Sequence, residues 1–171
     1  DLLLQLYLHF PFCKRKCFYC DFCSAPADDG TVAAYCSALK KEICLPAEKY
    51  PGVRVSTVFL GGGTPTLLSG GQVQRIMREV RACFDLDPDA EVTMEGNPGT
   101  LTAQNLAAYR EAGVNRLSLG VQSFDDGLLA AVGRIHTAAQ AREAVRMVRK
   151  AGFENLNIDL MSGLPGQSAA Q

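Results

Sequence analysis

The chain has 171 residues, 47% of them hydrophobic and 20% charged, with a formal net charge of −1. That is enough for one domain with a real core. The balance of charge gives no footprint for nucleic acid or an acidic membrane, no apolar run is long enough to span a bilayer, and Leu2-Leu3-Leu4 lacks the basic flank and cleavage site of a leader.

The first β-rich run covers residues 5–10 and places Tyr7 and His9 on one face by alternation. His9 reads equally as a residue of a site mouth or as a satisfied core histidine. Directly after this strand come Cys13, Cys17 and Cys20, spaced C-x3-C-x2-C, and then Cys23, four of the seven cysteines within one short stretch. A secreted disulfide framework would spread its cysteines and carry a leader. A tight cluster without one points to metal or redox chemistry in a reducing compartment, here the cytoplasm. Three thiolates in one loop can wrap one face of a four-iron cubane and leave one iron open to a substrate group. Zinc is the rival. Structural zinc favours two separated pairs of ligands, and Cys36 is far off in a helical pattern. Lys14, Arg15 and Lys16 either offset the charge of a thiolate cluster or are solvated.

The pattern predicts a helix over 32–45, a strand over 56–60, and then Gly61-Gly62-Gly63-Thr64-Pro65. Glycines there expose backbone N–H and C=O groups to a ligand. A bare turn is the alternative, and the absent Lys-Ser/Thr and the wrong glycine spacing argue against nucleotide phosphate binding. A helix over 72–84 precedes a strand over 91–95 that ends in Glu95. A helix over 101–112, capped by Thr102 and closed by Gly113, leads to a strand over 116–121 that ends at Gln122. Arg134 and His136 follow. A helix over 138–151, closed by Gly152, leads to the last strand, 155–160, which carries Asp159. Two carboxylates suit ribose hydroxyls or an amine, and an arginine suits a carboxylate. Each of these residues alone reads as well as a surface or capping group. Cys36, Cys44 and Cys83 sit in helical patterns and read as small hydrophobes without chemistry.

Strand and helix alternate at the pitch of βαβ units, so the fold class is α/β with a parallel sheet. A doubly wound sheet and a barrel compete. Nearly every strand delivers a polar or backbone-exposing group at its C-terminal end, as β/α-barrels do. The expectation is a partial (β/α) TIM-like barrel of about five parallel strands with outer helices, one domain over 1–171. The chain opens without Met, and no helix pattern follows the fifth strand, so it reads as part of a longer protein.

The stretch Tyr7-Leu-His-Phe-Pro-Phe-Cys-Lys-Arg-Lys-Cys-Phe-Tyr-Cys-Asp-Phe resembles the cluster loop of the radical S-adenosylmethionine (SAM) superfamily. More narrowly, it is similar to the branch of oxygen-independent coproporphyrinogen III oxidases and HemW-type heme chaperones. The resemblance continues through Gly61-Gly-Gly-Thr-Pro-Thr, Glu95-Gly-Asn-Pro-Gly, Leu119-Gly-Val-Gln-Ser-Phe, Gly133-Arg-Ile-His and Asp159-Leu-Met-Ser-Gly-Leu-Pro-Gly-Gln, in order along the chain. It implies a [4Fe-4S] cluster on Cys13, Cys17 and Cys20, with SAM chelating the open iron and cleaved there by one electron. It implies SAM contacts from Gly61, Gly62, Gly63 and Thr64, from Glu95, Gln122, Arg134 and Asp159, and from Tyr7 and Tyr19 beside the cluster. The implied partners are heme or a porphyrinogen, an electron donor such as flavodoxin or ferredoxin, and a heme-accepting protein, with heme itself a further cofactor. Oxidases of this branch carry Cys-x-Cys after the third ligand. Here Asp21-Phe22 follows Cys20 and Cys23 falls one place late, which resembles the chaperone type.

Overall fold

The computed structural model describes residues 3–169 and 171. Leu2 of the apolar start lies outside them. Five strands, β1 (Leu3–Phe10), β2 (Arg54–Gly62), β3 (Asp85–Gly96), β4 (Arg116–Gln122) and β5 (Asn155–Leu160), form one sheet in the order β1-β2-β3-β4-β5, every neighbouring pair parallel. Sequential order means that each crossover returns to the adjacent position in the sheet. The sheet has no point at which strand order reverses, so the doubly wound alternative is excluded and the open (β/α) barrel stands.

The crossovers are α1 (Asp29–Lys49), α2 (Gly70–Cys83), α3 (Ala103–Glu111) and, after β4, a short α4 (Asp126–Ala131) followed by α5 (Ala138–Lys150). In the outer layer α1 packs on α2, α2 on α3 and α3 on α5. Side-chain caps start these helices. The Asp28 carboxylate accepts from Thr31 N at 2.7 Å and the Thr102 hydroxyl from Asn105 N at 3.1 Å, while Ser69 and Thr137 each form a capping box. Gly113 (φ 95°) and Gly152 (φ 86°) take the left-handed conformation that ends α3 and α5. The Asp28 cap starts α1 three residues before the apolar pattern does, and α1 continues one turn past Pro46.

β3 also begins earlier than its apolar run. Its first residues, Asp85 and Leu86, pair with Arg54 and Val55; pairing then jumps to Thr57–Glu91, so the segment around Pro88 bulges out of the ladder. Proline has no N–H to give that ladder.

Strand alternation separates two faces. Leu8, Phe10, Val58, Leu60, Val92, Met94, Leu117, Leu119 and Val121 point to the helices and are buried with Val73, Ile76, Val80, Leu106 and Val148. The opposite face carries Tyr7 and His9 on β1, Gly61 on β2, Thr93 and Glu95 on β3, Ser118 and Gly120 on β4, and Asn157 and Asp159 on β5. Register aligns them across the sheet: His9 with Gly61, Glu95 with Ser118, Ser118 with Asn157, and Gly120 with Asp159. The polar ends of five strands therefore meet at one rim. β5 is an edge of this sheet, and Leu160 on it is 62% exposed.

Candidate functional site

At that rim, a cavity of about 270 Å³ is walled by Cys13, Cys17 and Cys20 on one side and by Gly62, Gly63, Thr64, Glu95, Gly120, Gln122, Arg134 and Asp159 on the other. All three thiols are free and half-buried. A larger cleft of about 740 Å³ runs from Gln122 along the end of β5 and contains none of these cysteines.

The cysteine loop is held from several directions. Cys13 N donates to Ala25 O at 3.1 Å and Ala25 N to Pro11 O at 3.0 Å, closing the loop at its base. Cys20 N donates to Cys17 O at 3.1 Å, a tight turn between the second and third cysteines. The basic residues between the ligands act on the loop itself. Arg15 Nη2 donates to Gly133 O at 2.8 Å and Lys16 Nζ to Phe22 O at 3.0 Å, and both side chains also line the cavity.

The glycine run docks directly on this loop. Gly63 N donates to Phe10 O at 2.8 Å and Thr64 N to Phe12 O at 2.7 Å, while the Thr64 hydroxyl points at Cys13 Sγ, 3.6 Å away. A Cβ on Gly63 would lie 2.4 Å from Phe12 O and 3.0 Å from Cys13 Sγ, so only glycine permits this approach. Gly62, at φ 114°, turns its N–H toward Glu95 Oε2 at 3.0 Å. Burial raises the Glu95 carboxyl above its ordinary pKa and the nearby Asp159 adds to that, opposed by the Gly62 N–H and His9.

Arg134 sits at the centre. Its Nη1 lies 3.5 Å from Cys17 Sγ and donates to the Tyr19 hydroxyl at 3.4 Å; its Nη2 donates to Gly120 O; its Nε is buried without a partner. Burial raises the Tyr19 phenol, with the Arg134 charge opposing. Gln122 takes a left-handed φ of 70° at the end of β4, and its carbonyl accepts from Met161 N at 2.9 Å. Asp159 accepts from the Ser118 hydroxyl at 3.2 Å and from Asn157 Nδ2 at 2.6 Å. Ser118 and Asn157 are wall and support residues outside the expected set, which was drawn from strand ends; both lie on the strand face of Gly120 and Asp159, where two-residue alternation back from those ends would have reached them.

Two of the expected residues border the cavity without lining it. Tyr7, placed beside the cluster by resemblance, is not part of the cavity wall. Its hydroxyl donates to His9 Nδ1 at 3.0 Å, and its ring stacks on Phe59 at 6.0 Å between centroids. Gly61 also lies outside the wall, closed in by Phe59, Tyr7 and Glu95. The cause is geometric: both residues lie further down their strands than the rim where the cysteine loop turns over. His9 has both nitrogens engaged, because Nε2–H donates to Cys23 O at 3.1 Å, and this satisfies the histidine while tying the end of the cysteine loop to β1. Cys23 is exposed and outside the cavity. His136 is buried, 3% exposed, with Nε2–H donating to Val121 O at 3.1 Å. Cys36 is a core residue as expected. Cys44 and Cys83 are not separate hydrophobes: they are joined as a disulfide.

The sequence model of the Radical SAM superfamily matches residues 7–171. The chain belongs to the radical SAM superfamily. It is 44% identical over 171 residues to the heme chaperone HemW of Escherichia coli (strain K12), covering 96% of this chain and 44% of that protein. It is 42% identical over 168 residues to the oxygen-independent coproporphyrinogen III oxidase of Bradyrhizobium diazoefficiens, covering 97% of this chain and 37% of that one. Among solved structures, the coproporphyrinogen III oxidase HemN of Escherichia coli, a radical SAM enzyme, matches with a TM-score of 0.89 at 35% identity, over 97% of this chain and 38% of that chain. This radical SAM chain thus spans less than half the length of these relatives.

Membership carries a [4Fe-4S] cluster and SAM with it, and the residues fit both. Three free thiols converge on one wall without a fourth among the described residues of the cavity, the donor set of a cluster with one open iron. Opposite them stand an unshielded glycine backbone, a guanidinium with a buried unpartnered N–H, and two carboxylates, complementary to an amino acid joined to a ribose. No helix of the described residues is long and apolar enough to cross a membrane.

Proposed function

We propose that the full-length protein is a HemW-type heme chaperone that keeps the superfamily's cluster and SAM site. The observation that carries the choice is the cysteine loop: Cys20 is followed by Asp21 and Phe22, and Cys23 leaves the cavity with its carbonyl held by His9. A fourth thiol at the meeting point of cluster and SAM, the mark of the oxidases, is thereby lost. Identities of 38–44% to the HemW proteins of Escherichia coli, Haemophilus influenzae and Bacillus subtilis support the reading.

In this proposal Cys13, Cys17 and Cys20 hold the cluster. Gly62, Gly63 and Thr64 offer backbone groups to the SAM amino group, and Arg134 takes its carboxylate. Glu95 and Asp159 face the ribose hydroxyls or the amine, with Gln122 and Tyr19 closing the pocket; Tyr7 and Gly61 support this wall from behind. Bound cluster and SAM would supply one-electron cleavage of the sulfonium. The chain's own part is to orient the two against each other and to exclude water. The partners are heme, a one-electron donor of the flavodoxin or ferredoxin type, and a heme-accepting protein.

The second reading is coproporphyrinogen III oxidation, favoured by the likeness to HemN and to the Bradyrhizobium oxidase. Anaerobic cluster reconstitution of the full-length protein, followed by parallel heme-transfer and coproporphyrinogen III assays, separates the two. Stable heme binding and transfer without turnover is expected. Many turnovers per chain to protoporphyrinogen IX would replace the chaperone reading with the oxidase.

A further inference from the structure

On the outer helix layer, away from the cavity, Cys44 near the end of α1 and Cys83 at the end of α2 are bonded across 39 positions of sequence, with a Cα–Cα separation of 5.2 Å. That separation is within the range a disulfide spans without backbone movement. Both residues are half-buried on this outer layer. Glu79, one helical turn before Cys83, brings a carboxylate oxygen to 3.5 Å from Cys44 Sγ and 3.9 Å from Cys83 Sγ.

This sits oddly with the rest of the chain. Cys13, Cys17 and Cys20 hold a cluster only as thiolates, and the medium that keeps them reduced also works against a permanent disulfide. Two cysteines placed within bridging distance on neighbouring helices, in such a medium, suit a bond that opens and closes rather than a permanent one. We infer that Cys44 and Cys83 form a thiol–disulfide redox site, separate from the cluster, that exchanges with a small-molecule disulfide of the glutathione type. One cysteine thiolate attacks glutathione disulfide and releases one glutathione thiolate; the second cysteine, as thiolate, attacks the resulting mixed disulfide and releases the other. The two cysteines lose two electrons and two protons, and glutathione disulfide is reduced to two thiols. The Glu79 carboxylate beside both sulfurs repels the anionic thiolates that must attack, which slows the exchange.

Closure joins the far ends of two helices whose near ends support the cluster. Tyr35 on α1 donates its hydroxyl to His9 O at 2.6 Å and meets Phe12 edge-on at 5.2 Å, and α2 begins just after the glycine run. The bridge therefore braces the cover of the cluster loop from outside.

The test is to equilibrate the full-length protein, cluster reconstituted, anaerobically in glutathione buffers of graded redox ratio. Quenching with an alkylating reagent and peptide mapping then score Cys44 and Cys83. Both thiols should disappear together as the ratio turns oxidising and return on adding glutathione thiol, with the cluster absorbance unchanged at the midpoint. Cys44→Ser should abolish the transition, and Glu79→Gln should speed the approach to equilibrium severalfold. A pair that stays reduced until the cluster itself is lost would overturn the proposal. So would a bridge that persists in excess native-state reductant. Stoichiometric zinc uptake by the reduced protein, lost in Cys44→Ser and blocking oxidation, would overturn it in favour of a metal site made with Glu79.

Discussion

Arg134 Nη1 lies 3.5 Å from the sulfur of Cys17, a residue 117 positions earlier in the chain. One guanidinium thus touches the cysteine loop, Tyr19 and the carbonyl of Gly120 on β4, and still has a buried N–H to offer. A planar five-donor group can do this, and an ammonium on a flexible stem cannot. Arg134→Lys in the reconstituted full-length protein should weaken SAM binding by about tenfold or more, the scale of a lost charged hydrogen bond. The iron content should stay unchanged. Unaltered SAM affinity by equilibrium dialysis would remove Arg134 from the SAM site.

Replacing Cys13, Cys17 or Cys20 with Ser should each abolish the cluster. Cys23→Ser should leave about four irons per chain, as the cluster type requires. Iron analysis after anaerobic reconstitution reads this directly. Stoichiometric zinc in place of iron would contradict the donor assignment.

Gly63→Ala tests the docking of the glycine run. The added methyl meets the Phe12 carbonyl, which is backbone and cannot swing away, and the thiol of Cys13. The expected cost is about 1–3 kcal/mol, typical of overpacking, with the larger part of the effect in cluster retention. Wild-type iron content together with wild-type thermal stability would show that the loop has slack.

His136 sets a pH dependence. Burial first, and the Arg134 charge second, push its pKa from 6.5 down to about 4. Below 6.5 the unfolded chain takes up a proton that the folded chain refuses until about 4. Stability is therefore full above 6.5 and falls as pH drops through that window, by up to about 3 kcal/mol. Denaturant midpoints of the wild type and of His136→Gln across this range should differ in slope, the variant being flatter. Parallel slopes would mean that the imidazole is not shielded from protons.

Much of this molecule is written in local sequence. Ile76, Met77 and Val80 recur at helical spacing, Thr102 caps α3, and Gly113 and Gly152 end helices, because each of these effects acts over four residues or fewer. β5 lies where its apolar run lies, at Asn155–Leu160. The cysteine loop is local as well: three thiols spaced over eight residues can reach one ion cluster whatever the rest of the chain does. Six-residue α4 is too short to show a period, and β3 extends through an acidic, proline-containing stretch because Arg54 and Val55 on β2 offer partners there.

The rest was decided by packing between distant segments. Alternation puts Tyr7, Glu95 and Asp159 on the same face, but only the register of five strands and the turn of the cysteine loop determine that Glu95 and Asp159 reach the cavity while Tyr7 turns to His9. The contact of Arg134 with Cys17 and the bond between Cys44 and Cys83 close loops of 117 and 39 positions. No periodicity encodes such pairs. They exist because burying the apolar faces of the sheet and its helices repays the entropy of closing those loops, and the polar groups are carried to wherever that packing leaves them.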